Sequence, residues 1–132
     1  MNGLEDLVTE RLEGLGYRCK EGDRRLIERA AEKVERRIKN LCGTEFFPEE
    51  LLYEAIDMAA GEFLKAKKTF FPKDLEGFDL TAAVKRVQVG DTNATFASGE
   101  GALTEEQRLD GFISLLLNSG REQIACFRKV KW

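Results

Sequence analysis

A chain of 132 residues is long enough for one domain with a modest core and too short for two. Its formal net charge of -3, with 34% charged residues, lacks the basic excess that general nucleic-acid affinity brings. Cys19, Cys42 and Cys126 are far apart and odd in number, which argues against a disulfide framework or a zinc site and for a reducing compartment.

Residues 3–15 place Leu4, Leu7, Val8, Leu12 and Leu15 at the spacing of one helix face, and Gly14 and Gly16 supply a stop. Glu5, Asp6 and Glu10 interrupt this stretch, so it holds no run suited to a signal peptide or a membrane span, and a cytoplasmic protein is expected. Tyr17 to Gly22 reads as a polar connector. Asp23 is the expected N-cap of a second helix over 23–42, ended by Gly43. Its apolar face is Leu26, Ile27, Ala30, Ala31, Val34, Ile38 and Leu41. The opposite face carries Arg25, Arg29, Lys33 and Arg37 in one row, read as a solvated surface laced with helical ion pairs such as Glu32 with Arg36 rather than as a phosphate contact.

The third segment, 48–68, organises the rest. Leu51, Leu52, Ala55, Ile56, Met58, Ala59, Ala60, Phe63, Leu64 and Ala66 cover well over half of a helix circumference, which belongs at the centre of a bundle. Pro48, Glu49 and Glu50 suit the start, and Lys65, Lys67 and Lys68 suit the negative end of the dipole. Gly61 costs about 1 kcal/mol against alanine inside a helix, which implies that another backbone passes close to it.

Beyond it, Phe-Phe-Pro and Gly77 break the period, and Asp79 caps a short turn through Leu80, Ala82 and Ala83. A β-hairpin is expected over 84–97, turning at Gly90-Asp91, with Val87, Val89, Ala94 and Phe96 on one face. Ser98 to Ala102 forms a joint. Thr104 and Gln107 make a capping box that opens a fourth helix over 104–118, and the tail 123–132 reads as strand-like and ends at Trp132. The expected fold is thus mainly α, a small helical bundle around one central helix, with a β-hairpin and a strand-like C-terminal tail.

There is no histidine, so acid and base work would fall to carboxylates. Glu50, Glu54 and Asp57 share a helix face but have no loop oxygens at ordered spacing beside them, and they read as exposed charge rather than a cation site. Cys19, between Arg18 and Lys20, is the best-placed nucleophile yet has no partner base. Neither catalysis nor a metal or cofactor is expected.

Asp57-Met-Ala-Ala-Gly-Glu-Phe-Leu64, Gly77-Phe-Asp-Leu-Thr-Ala-Ala-Val-Lys85, Gly90-Asp-Thr-Asn-Ala-Thr-Phe96, Thr104-Glu-Glu-Gln-Arg-Leu-Asp110 and Phe127-Arg-Lys-Val-Lys-Trp132 together resemble the small head–tail connector (adaptor) proteins of tailed phages and prophages. The resemblance runs from about Asp23 to the end. It implies a structural virion protein that completes the head after DNA packaging. Such proteins form a ring, typically of twelve copies, below the portal and meet a tail or stopper protein. The genome passes through their channel without sequence-specific binding, and no membrane is involved. The implied locations are the host cytoplasm during assembly and then the head–tail junction of the virion. Val87, Val89, Gly90, Asp91, Thr92, Ala94 and Phe96 of the hairpin, with Phe127, Val130 and Trp132 of the tail, are the expected contacts to portal or neighbouring subunits. The equal alternative is that both segments simply cover the core. Rival functions are a small DNA-binding regulator reading through Arg25 to Arg37, a protein-interaction module, and a carboxylate-metal enzyme.

Overall fold

In the computed structural model the described residues are 3–87, 104–121 and 123–125. Among them lie five α-helices, α1 (Leu4–Gly14), α2 (Asp23–Cys42), α3 (Leu52–Phe70), α4 (Leu80–Val87) and α5 (Glu105–Leu117), with 3-10 turns at Glu49–Leu51 and Pro72–Leu75. No described residue is in a strand. Helices α1, α2 and α5 all pack on α3.

Each helix follows from an apolar stripe and a stop. In α1, Leu4, Val8 and Leu12 are buried, and the chain leaves through Gly16 at φ 100°. In α2 the buried stripe is Ile27, Ala30, Ala31, Val34, Ile38 and Cys42. Gly43 ends it in the left-handed region at φ 65°, where its N–H reaches the Asn40 carbonyl (3.3 Å) and the Thr44 N–H reaches that of Lys39 (3.0 Å). The expected central helix is present and begins with the 3-10 turn after Pro48. Ala55, Ala59, Ala60, Phe63 and Leu64 are wholly buried, as a rod wrapped on several sides requires. Phe63 and Phe112 are the largest fully buried side chains, each contributing about 1.5–3 kcal/mol by removal from water.

Gly61 marks the crossing of α3 and α5. A Cβ placed there would lie 3.0 Å from Leu116 Cβ and 3.1 Å from the Leu117 backbone nitrogen. Helix α5 starts at the expected capping box: the Gln107 N–H donates to Thr104 Oγ1 (3.1 Å), and the Thr104 N–H donates to Gln107 Oε1 (3.0 Å).

Two expectations are corrected. The first strand of the proposed hairpin does not start at Val84, because 84–87 continue α4. Asp79 does cap this segment, accepting the Ala82 N–H at 3.1 Å. Leu80, Ala83, Val84 and Val87 stand at i, i+3, i+4 and i+7, so a helical period claims Val87, which also alternates with Val89. Second, the tail does not begin as a strand. Residues 123–125 are helical, the Ile124 N–H donates to the Gly120 carbonyl (2.8 Å), and Ile124 is buried in the core. Residues 88–97 of the hairpin and 126–132 of the tail lie outside the described residues.

Candidate functional site

The most unusual chemistry sits where the α1–α2 connector, the start of α2, the end of α3 and the turn Pro72–Leu75 meet. The connector is not merely polar: Tyr17 is buried, with its ring edge-on to Phe63 (centroids 5.5 Å apart) and to Phe78 (6.3 Å). Its hydroxyl donates to Asp23 Oδ2 at 2.7 Å, and the Lys20 N–H donates to the same oxygen at 2.9 Å. Asp23 is therefore not the side-chain cap of α2. It is the first residue of that helix, 1% exposed, and its carboxylate turns inward.

Its ionic partner is Lys67, which is 3% exposed near the C-terminus of α3. Lys67 Nζ pairs with Asp23 Oδ1 and also donates to Asp74 Oδ2 at 2.6 Å. Lys20 Nζ closes the network on Asp74 Oδ1 at 2.9 Å. The Lys67 ammonium lies 5.0 Å from the Phe71 ring centroid and 5.8 Å from that of Phe63.

Burial by itself would raise the Asp23 carboxyl, but the bonds from Lys67, the Lys20 N–H and Tyr17 outweigh it and hold the acid below its ordinary range. Burial would lower Lys67, and its bonds to Asp23 and Asp74 likewise outweigh that and hold it above its ordinary range. Tyr17 is pushed far up, first by burial and then by Asp23, so its hydroxyl stays a donor. Lys67 is thus a fixed cation rather than a base.

Cys19 stands beside this centre. Burial, together with Glu13 and Asp23, pushes its thiol up to about 11, which opposes the thiolate a nucleophile needs. The carboxylate row is dispersed: Glu50 lies in the turn before α3, Asp57 accepts from Arg11 Nε at 2.8 Å, and Glu54 packs where a Cβ on Gly120 would come within 2.9 Å. Among the described residues no group of three or more His, Cys, Asp or Glu side chains is placed to hold a metal ion, and no helix is long and apolar enough to cross a membrane.

The surface has two further features. The α2 row is only partly laced. Arg24 reaches Glu28 (3.3 Å) and Glu5 (3.5 Å), Lys39 reaches Glu35 (3.7 Å), and Lys33 crosses to Glu62 on α3 (3.1 Å). Among the described residues Arg25, Arg29, Arg36 and Arg37 make no ion pair, and the expected bond from Glu32 to Arg36 is not formed. Exposed aromatics stand at or just before the two ends of α3, Phe46 (80% exposed) in the preceding connection and Tyr53 (79%) near the start, Phe70 (71%) and Phe71 (50%) at the end.

Of the contact residues expected from sequence, Val87 ends α4 rather than lying on a strand, and Val89, Gly90, Asp91, Thr92, Ala94, Phe96, Phe127, Val130 and Trp132 lie outside the described residues. The Asp23–Lys67 centre was not read from sequence, although both residues fall in phase with their helices' buried faces: Asp23 with Ile27 and Ala30, Lys67 with Phe63 and Leu64. The chain matches no protein-family model, no curated protein and no solved structure.

Proposed function

We propose that the chain is a head–tail connector of a tailed phage or prophage, a structural subunit that joins a ring below the portal and extends the DNA channel toward a tail or stopper protein. The observation that supports this reading is the way a single apolar rod, α3, is enclosed by α1, α2 and α5 while large aromatics stay in solvent near both its ends. A subunit with apolar surface at two separated places can repeat one heterologous contact around a ring. The resemblance of 57–64, 77–85 and 104–110 to connectors supports the same reading.

Mixing the purified chain with portal rings encoded beside it tests the reading. Co-sedimentation, with added ring density under the portal by negative-stain electron microscopy, is the expected result. Failure to bind portals from its own gene neighbourhood, or the lack of portal and capsid genes there, would overturn it. The arginines of α2 that pair with none of the described residues favour a second reading, a DNA-binding regulator, which predicts duplex binding that falls steeply with salt.

A further inference from the structure

Independently of the connector reading, we propose that the outer face of α2, from Arg25 to Leu41, is a docking groove for an acidic segment of a partner protein that carries an apolar side chain among its carboxylates. Four arginines of this face, Arg25, Arg29, Arg36 and Arg37, are exposed and, among the described residues, have no ion-pair partner. They stand out in a chain whose net charge is negative. Guanidinium groups are weakly hydrated forks that match carboxylates two bonds at a time, so a row of them is a prepared anion surface.

The face is also shaped. Near the start of α2 a cavity of about 390 Å³ is bordered by Arg25, Arg29, Leu26, Lys67 and Phe71. Asp23 and Asp74 line it as well, but both are paired with Lys67, which leaves Arg25 and Arg29 as its unpaired charges among the described residues. A second hollow shares Arg29 and runs past Arg36 and Arg37 to Leu41. Arg25 and Leu41 are 16 positions apart, roughly 24 Å along the helix, the length of a short peptide helix.

Nucleic acid fits this face less well. Its flanks are apolar, with Phe71 50% and Leu41 38% exposed, and Glu32 borders the second hollow, where an unbroken line of phosphates would crowd it. A protein segment with spaced carboxylates leaves room for Glu32 and places an apolar side chain against Phe71.

The test uses the full chain and a fluorescein-labelled peptide of about sixteen residues, with glutamates at every fourth position and leucines between them. The same peptide with glutamine for glutamate and a mixed-sequence DNA duplex are run beside it. Fluorescence anisotropy should show binding of the acidic peptide, weakened about tenfold or more by Arg25→Gln, Arg29→Gln and Arg37→Gln together. A variant with equal charge removed elsewhere, Arg18→Gln, Lys65→Gln and Arg121→Gln, should bind within about twofold of the parent. Phe71→Ser should weaken the leucine-bearing peptide too. Circular dichroism confirms that each variant is folded. No peptide binding, equal loss in both triple variants, undiminished binding of the glutamine peptide, or tighter binding of DNA would each overturn the proposal.

Discussion

Lys67 shows how a charge becomes part of a core. Its stem lies on the α3 face that also buries Phe63 and Leu64, and two aspartates from other segments complete its shell. Two charges taken from water roughly break even when well paired, whereas one left alone is costly. Lys67→Met should therefore destabilise the fold by about 3–5 kcal/mol in urea titrations, because Asp23 stays buried without its cation. Adding Asp23→Asn, which keeps an acceptor for Tyr17 and the Lys20 N–H, should recover part of that loss. If the double variant were less stable than Lys67→Met alone, the lone carboxylate would not be the source of the damage.

The same pair sets a pH window. Asp23 is held below its ordinary value of 3.8, so its contribution is present above that value and lost as pH falls through the lower folded one. Lys67 is held above its ordinary 10.5, so its contribution is complete below that value and lost as pH rises through the higher folded one. The pair's contribution should be level between about pH 5 and 10 and fall on either side, with Asp23→Asn flattening the acid limb. Urea midpoints measured across pH give the answer. An acid limb equally steep in that variant would assign it to other carboxylates.

At the scale of elements, α3 and α5 meet closely at a glycine. Alanine is the better helix former by about 1 kcal/mol, so Gly61→Ala would stabilise an isolated helix. Here the added Cβ would press on Leu116 Cβ at 3.0 Å and on the Leu117 backbone at 3.1 Å, and backbone yields poorly. The substitution is expected to cost about 1–3 kcal/mol, read as a lower thermal midpoint, and an unchanged or raised midpoint would mean that α5 shifts freely. This crossing was legible in the sequence, as a costly glycine inside an otherwise strong helix. So were the bounds of α1, α2 and α5, each set by an apolar stripe and a capping or stop residue. Helix α4 was not, because Leu80, Ala83, Val84 and Val87 satisfy a helical period while Val87 and Val89 also alternate. The charge centre was hidden for another reason. Asp23 and Lys67 are 44 positions apart, and no local rule connects them, although each breaks the apolar phase of its own helix.

For the whole molecule, the decisive question is what the aromatics outside the core do. Tyr53 and Phe70 are 17 positions apart on α3, roughly 25 Å along its axis, so these two rings cannot shield each other. Solvent contact by Phe46 at 80% and Phe70 at 71% means that little folding energy is held there, and removing such rings from a surface usually changes stability by less than about 0.5 kcal/mol. In the connector reading their energy appears only on assembly, when one subunit's cluster meets its neighbour or the portal, and buried aromatic anchors commonly carry such contacts. Phe46→Ser with Tyr53→Ser at one end, or Phe70→Ser at the other, should leave the urea midpoint of the isolated chain nearly unchanged yet abolish ring density on portals. Phe63→Ala, buried in the rod, should instead cost about 3–5 kcal/mol whatever the partner. Ring formation that survives both surface variants would move the contacts away from the ends of α3, and a fall in stability of more than about 1 kcal/mol would make these rings part of the fold rather than of the assembly.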